Sequence, residues 1–148
     1  MTDKRIHATV NKIKDVSMEP HNVQVLCSGY FNLLHAGHVE LLAFASKYGK
    51  VTVAINDDEH CQRKYGTKAM LASHRLYCLN ACKYVESTCV FGEDTPSELI
   101  LRLKPKYYIR GYDYANKALP EEAALELVKA QTIIFKSKQI KIHTSDFL

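Results

Sequence analysis

Two histidines three residues apart, His35 and His38, flank Gly37 in the segment Gly29-Tyr30-Phe31-Asn32-Leu33-Leu34-His35-Ala36-Gly37-His38. If a helix begins near them, imidazoles at that spacing point the same way and can address one ligand together. Gly37 lets that ligand come close to the main chain. A helix N-terminus adds free N–H groups and a positive dipole end, and both favour phosphate. The rival reading is a capping His beside a surface His. Two imidazoles beside such a terminus suit phosphate binding and the stabilisation of charge on phosphate oxygens.

The elements around this segment place it at the end of a strand. Residues 23–27 form a compact apolar run entering Ser28-Gly29, as a buried central strand would. Residues 37–48 read as a helix with a broad apolar face, and Gly49 stands where a C-terminal capping glycine would. Residues 51–55 are a second buried strand stopped by Asn56-Asp57-Asp58. A Lys/Arg/Gly-rich loop then leads to a helix over residues 73–84. Further expected elements are a strand at 84–91, a helix from Thr95-Pro96 to Leu103, and a short strand at 107–109 ending in Arg110-Gly111. A helix at 121–129 and a strand at 132–135 complete the set. This alternation predicts one α/β, Rossmann-like domain over residues 23–148, with a parallel sheet and helices on both faces. Residues 1–22 read as an arm or short leading helix. In open sheets of this kind ligands bind beyond the carboxyl ends of the strands, which is where the two histidines fall.

Composition bounds the partners. A chain of 148 residues with 47% hydrophobic residues can close one core. Twenty basic and 16 acidic residues give a net charge of +4, and because they are interspersed, they suit a polyphosphate and do not indicate nucleic acid. No apolar run approaches the roughly 20 residues of a membrane span, and no leader pattern stands at the N-terminus, so a cytoplasmic protein without a membrane partner is expected. The five cysteines contain no CxxC pair and are read as reduced, mostly buried thiols. His74, Cys78 and Cys82 recur every four residues, and that face is read as core packing with no metal site. Tyr107-Tyr108 and Tyr112 with Tyr114 are read as packing in or beside a strand, with stacking on a base as the alternative.

These motifs together resemble the cytidylyltransferase-like nucleotidyltransferase superfamily, whose H-x-G-H follows a first strand and a G-x-F-D turn. Within it the sequence is most similar to the heptose 1-phosphate adenylyltransferase domain, with glycerol-3-phosphate cytidylyltransferases next. The likeness covers residues 23–147. It includes Asn56-Asp57-Asp58, the Arg75 region, Glu93-Asp94-Thr95-Pro96, Arg110-Gly111-Tyr112-Asp113-Tyr114, Leu119-Pro120-Glu121 and Thr144-Ser145. The resemblance implies that His35 and His38 hold the triphosphate and stabilise the transition state, with Arg75 near the phosphates. Ser28, Gly29 and Tyr30 would supply backbone contacts, and Gly37, Lys64, Arg110 and Gly111 would join the nucleotide site. Asp113 would meet the ribose or base, and Thr144 with Ser145 would bind phosphate. Each has a plainer rival: Asp113 as a turn residue, Arg75 as a solvated helix residue, Lys64 in a solvated basic loop, Thr144-Ser145 as an N-cap.

The chain departs from the family pattern at four positions. Asn32 replaces the acid of G-x-F-D, Arg110 a Lys, Tyr112 a Gly and His143 a Ser. The activity implied first is transfer of AMP from ATP to a sugar 1-phosphate with release of pyrophosphate, Mg2+ assisting. The alternatives are a CDP-alcohol made from CTP and glycerol 3-phosphate or a similar phosphate, and a nucleotide-binding protein without catalysis. A homodimer is expected by resemblance.

Overall fold

The computed structural model describes residues 22–111 and 119–137. The expected arm before Asn22 lies outside them, as do Tyr112, Asp113, Tyr114, His143, Thr144 and Ser145. The described chain runs β1 (Val25–Gly29), α1 (Ala36–Ala45), β2 (Val51–Asn56), α2 (Asp58–Tyr65), a 3-10 turn (Gly66–Lys68), α3 (Ala72–Ala81) and β3 (Val85–Phe91), then α4 (Ser97–Leu103), β4 (Tyr107–Gly111), α5 (Glu122–Leu127) and β5 (Gln131–Phe135). The five strands form one sheet in the order β3-β2-β1-β4-β5, every pair parallel. β1 is therefore central, as its apolar run predicts. All six residues of β2 are buried, because helices and loops cover both faces of a parallel sheet. β5, at an edge, buries none of its five residues fully.

Strand order reverses at β1: the chain first builds outward through β2 and β3, then returns to place β4 on the other side. Since crossovers between parallel strands are right-handed almost without exception, α1 to α3 and α4 with α5 take opposite faces. α4 and α5 pack together on theirs. On the other, Phe44 of α1 meets Phe135 of β5 at a ring-centroid distance of 4.8 Å and Tyr48 meets Tyr107 at 5.2 Å. Tyr107 and the nearly inaccessible Tyr108 thus serve as packing residues.

Three expectations are corrected. The Lys/Arg/Gly-rich stretch after β2 contains the helix α2 rather than only a loop. Its sequence carries a single buried residue, Cys61, and so lacks the apolar period that marks helices. Its signals are electrostatic: Asp57 accepts a hydrogen bond from the His60 N–H, Asp58 and Glu59 sit in the first turn, and Arg63 and Lys64 in the last. The second correction concerns Gly49, which does not cap α1, since that helix ends at Ser46. Gly49 instead has φ +149°, and a Cβ there would stand 2.7 Å from the Gln24 side-chain oxygen, which accepts the Lys50 N–H at 2.6 Å.

The third correction is the His74, Cys78, Cys82 face. α3 turns Arg75, Leu76 and Leu79 inward, so His74 and Cys78, on the outer side, are exposed and Cys82 is half-buried beyond the helix end. The apolar period 75/76/79 outweighs the sulfur period 74/78/82. Among the cysteines only Cys27, Cys61 and Cys89 are buried, and burial pushes the Cys27 and Cys89 thiols up to about 12. Cys78→Ala should therefore change stability by less than about 0.5 kcal/mol, and a thiol reagent added to native protein should find Cys78 first. A loss above about 1 kcal/mol in urea unfolding would show that Cys78 packs against something.

Candidate active site

The strand reversal opens the site. Pairing between β1 and β4 is limited to Val25 with Tyr107 and Leu26 with Tyr108. Beyond that, each strand runs on three residues without further partners in the other, ending in Ser28-Gly29 and Arg110-Gly111. Such a parting at a switch point is where α/β folds receive ligands. Ser28 Oγ and the Tyr108 hydroxyl lie 2.5 Å apart across the base of the crevice, and Tyr108 donates onward to buried Glu121 at 3.4 Å. Burial and the Glu121 charge push the Tyr108 hydroxyl above its ordinary value, so it stays protonated.

From β1 the chain enters a turn that holds Phe31 at φ 46°, a left-handed conformation that costs a non-glycine residue energy. Gly29 accommodates the turn, since a Cβ there would meet the Phe31 ring at 3.4 Å. The Phe31 ring leans on His38, with centroids 5.0 Å apart. His35 is the N-cap of α1, and its Nδ1 accepts the Gly37 N–H at 3.1 Å. His38, at the third helical position, accepts the His35 N–H on its own Nδ1 at 3.3 Å. The pair forms a capping box, and the rings stack at 3.9 Å with 19° between planes. The capping reading and the ligand reading therefore concern the same two residues through different ring nitrogens. Because each Nδ1 is an acceptor, each neutral ring carries its proton on Nε2. The backbone thus sets two parallel imidazoles in the tautomer that donates from the far nitrogen.

Burial, then the proximity of His35, lowers His38 from 6.5 to about 4, partly offset by a backbone hydrogen bond with Leu33. At neutral pH His38 is an uncharged donor. The linkage sign follows: as pH falls below 6.5 the unfolded chain takes up a proton that the folded ring resists until about pH 4, so stability declines with falling pH across that window. After allowance for partial exposure the loss should be about 1–2 kcal/mol. Urea unfolding at pH 7.5 and 4.5 should show it, and His38→Gln should flatten the difference. An unchanged slope in the variant would remove His38 as its source.

The other predicted residues gather around this turn to different degrees. Tyr30, just past β1, meets the Tyr65 ring edge-on at 5.8 Å. Lys64, on α2 rather than in a loop, holds its ammonium 4.7 Å above the Tyr30 ring, a cation–π contact that keeps it beside the turn. Arg110 reaches Glu122 at 3.3 Å through one Nη, while its Nε and other Nη are buried without a hydrogen-bond partner among the described residues. Gly111 has open space where a Cβ would stand.

Arg75 is not the solvated helix residue of the plainer reading. Its side chain is inaccessible to solvent, which removes the solvated alternative. Its Nε donates to the Met70 carbonyl at 2.9 Å, and one Nη donates to the carbonyls of Tyr30 at 3.0 Å and Asn56 at 2.8 Å. Asp58 lies 3.6 Å from the other Nη. The guanidinium ties together the ends of β1 and β2 and the turn before α3.

Two features escaped sequence reasoning. Asn32, noted only as a departure, is buried at 1% exposure and bonded to segment 68–70. His60 sits between Asp57 at 2.7 Å and Asp94 at 2.8 Å, joining the loops after β2 and β3. Hydrogen bonds that the protonated ring donates to Asp94 and then Asp57 raise His60 above its ordinary value. The helix-start spacing of Asp57 and His60 was legible, whereas the contact with Asp94 depends on the sheet.

Comparison with known proteins fits this geometry. Residues 26–146 match the sequence profile of the cytidylyltransferase-like family. Proteins named bifunctional protein HldE are similar over much of the chain. The Streptomyces coelicolor protein is 36% identical over 117 residues, covering 77% of this chain and 25% of its own length. The Nitrosococcus oceani protein is 40% identical over 118 residues, covering 78% and 25%. The chain thus spans about a quarter of the length of these relatives. Among solved structures, a lipopolysaccharide core biosynthesis protein from Thermoplasma volcanium superposes with TM-score 0.64 at 20% identity, covering 80% of this chain and 98% of that one. A protein of unknown function from Archaeoglobus fulgidus gives 0.56 at 20% identity, covering 81% and 96%. Those two likenesses concern the fold. With the profile matched across the parted strands and both histidines, the chain belongs to the cytidylyltransferase-like family of nucleotidyltransferases.

Proposed function

We propose that this chain transfers AMP from ATP to a sugar 1-phosphate and releases pyrophosphate. The observation that carries the reading is the pair of stacked imidazoles, both held by backbone N–H groups as Nε2 donors at the start of α1. A phosphate oxygen of the acceptor attacks the α-phosphorus, the bond from that phosphorus to the bridging oxygen breaks, and its electron pair leaves with pyrophosphate. His35 and His38 donate to the phosphate oxygens as charge shifts toward the leaving group, His38 exchanging its backbone bond with Leu33 for phosphate, in the manner of an oxyanion hole. The first N–H groups of α1, with Ser28, Gly29, Tyr30 and Gly37 lining the turn, receive the phosphates. Lys64 swings from the Tyr30 ring onto the triphosphate, and the two unengaged nitrogens of Arg110 face the nucleotide beside Gly111. Arg75 acts by holding the turn.

By resemblance Asp113, Thr144 and Ser145 complete the nucleotide site. Mg2+, bound together with the nucleotide, would supply charge neutralisation at the phosphates. Among the described residues no group of three or more His, Cys, Asp or Glu side chains is disposed to hold a metal. A homodimer, a cytoplasmic location and a 23–148 domain preceded by an arm belong to the same reading. Among the described residues no helix is long and apolar enough to cross a membrane.

Resemblance to heptose 1-phosphate adenylyltransferase domains favours ATP and a sugar phosphate over CTP and glycerol 3-phosphate. Pyrophosphate release should be measured with ATP and CTP against heptose 1-phosphate, other sugar 1-phosphates and glycerol 3-phosphate, all with Mg2+. The highest kcat/KM is expected for ATP with a sugar 1-phosphate. Preference for CTP with glycerol 3-phosphate would replace the proposal with a CDP-alcohol synthesis, and nucleotide binding without turnover would leave a binding protein.

A further inference from the structure

We propose that Asn32 is a positioning residue that clamps segment 68–70 against the turn carrying His35 and His38, and that this clamp requires an amide. The proposal rests on the phosphate role of that turn. The Asn32 side chain, 1% exposed, donates from Nδ2 to the Lys68 carbonyl at 3.0 Å and accepts the Met70 N–H on Oδ1 at 2.7 Å. The Cys61 thiol donates to the same Oδ1 at 3.4 Å. One side chain thus closes a loop of the chain 38 residues away, and does so three residues before His35. The clamped segment carries Lys68 and follows Lys64 of α2, so its position sets where the cationic side of the site stands relative to the two imidazoles.

An ionised acid here would accept from Met70 but turn an oxygen toward the Lys68 carbonyl, where two acceptors repel. A protonated acid would restore the donor and mimic the amide. The charged and titratable groups around the position are Cys61 and Lys64 on α2, Arg75 on α3 and Asp58 at the α2 start. The Arg75 guanidinium favours an ionised acid. However, it is already bound to three carbonyls and faces Asp58, so burial and the Lys68 carbonyl prevail and hold the acid protonated to a higher pH than usual. On this reading asparagine is the residue that closes the clamp, and the acid of the family pattern is the less suitable one in this chain.

The test uses Asn32→Asp and Asn32→Ala in the full chain, each compared with wild type at pH 8.0 and 5.5. Exchange of the Met70 amide is followed by NMR, and Mg·ATP and Mg·CTP affinities are taken by calorimetry. At pH 8.0 both variants should exchange the Met70 amide at least about tenfold faster and bind the preferred nucleotide about tenfold more weakly. At pH 5.5 Asn32→Asp should return toward wild type in both readouts while Asn32→Ala should not. If an Asn32→Asp protein unfolded at pH 8.0 regains its fold and binding at pH 5.5, the amide requirement is supported equally. Equal losses in the two variants at both pH values would overturn it. Unchanged Met70 exchange and affinity in Asn32→Ala would overturn the clamp while leaving the functional reading intact. Failure of wild type to bind either nucleotide would overturn the functional reading first, and the positioning role with it.

Discussion

Alanine at His38 is expected to lower turnover by at least about 100-fold in a domain that remains folded, and alanine at His35 to do the same. The scale is that of losing one preorganised donor to a transition state, about 2.7–4 kcal/mol. Two costs have to be separated. His35→Ala also removes the α1 cap, worth about 1 kcal/mol, and His38→Ala leaves the His35 N–H without its acceptor, about 1 kcal/mol more. Neither approaches the roughly 5–15 kcal/mol that holds a domain together. Circular dichroism should therefore be near wild type while single-turnover pyrophosphate release collapses. Wild-type rates from a folded variant would reduce that histidine to the capping role it visibly has.

Arg75→Ala should give the largest loss of stability, about 3–5 kcal/mol, on the scale of breaking a buried charge network by removing one member. It would strip the carbonyls of Tyr30, Asn56 and Met70 of their donor in a place closed to water and leave Asp58 without its cation. Arg75→Lys keeps the charge but not the planar fork that serves three acceptors at once, so an intermediate loss of about 1–3 kcal/mol is expected. Denaturant midpoints check both. An alanine variant within about 1 kcal/mol of wild type, with a raised KM for the triphosphate, would return Arg75 to direct phosphate contact.

The contrast between these two sites shows what was legible in the sequence. His35 and His38 are three residues apart and their local geometry follows from the start of one helix, so type and spacing sufficed. β1 and β2 were equally plain, because a strand buried on both faces is written as an unbroken apolar run. α2 was not, since a helix lying mostly in water is held by its caps and end charges, and these look like a basic loop when only apolar period is counted. The Cys78 face misled for the opposite reason: three residues at one spacing suggested a shared environment, but α3 orients by Arg75, Leu76 and Leu79. Arg75 was placed near phosphate by resemblance, with a solvated helix residue as the rival because arginine is rarely buried; the carbonyls it holds come together only in the fold. Asn32 was beyond reach, for its partners lie in segment 68–70 and only the fold brings them together.

Among the described residues every hydrogen bond of the Arg75 guanidinium goes to a main-chain oxygen, at residues 30, 56 and 70, and this has a consequence for mutational tolerance. A carbonyl is present whatever side chain the position bears, so replacements at Tyr30 and Met70 that preserve the local backbone leave the bonds to Arg75 in place. Constraint from this junction therefore falls on one codon instead of being shared among four. In a saturation library scored for abundance, position 75 should accept almost nothing while the residues it holds accept many. Drift in those neighbours can then reshape the walls of the crevice without loosening the joint that keeps its rim together.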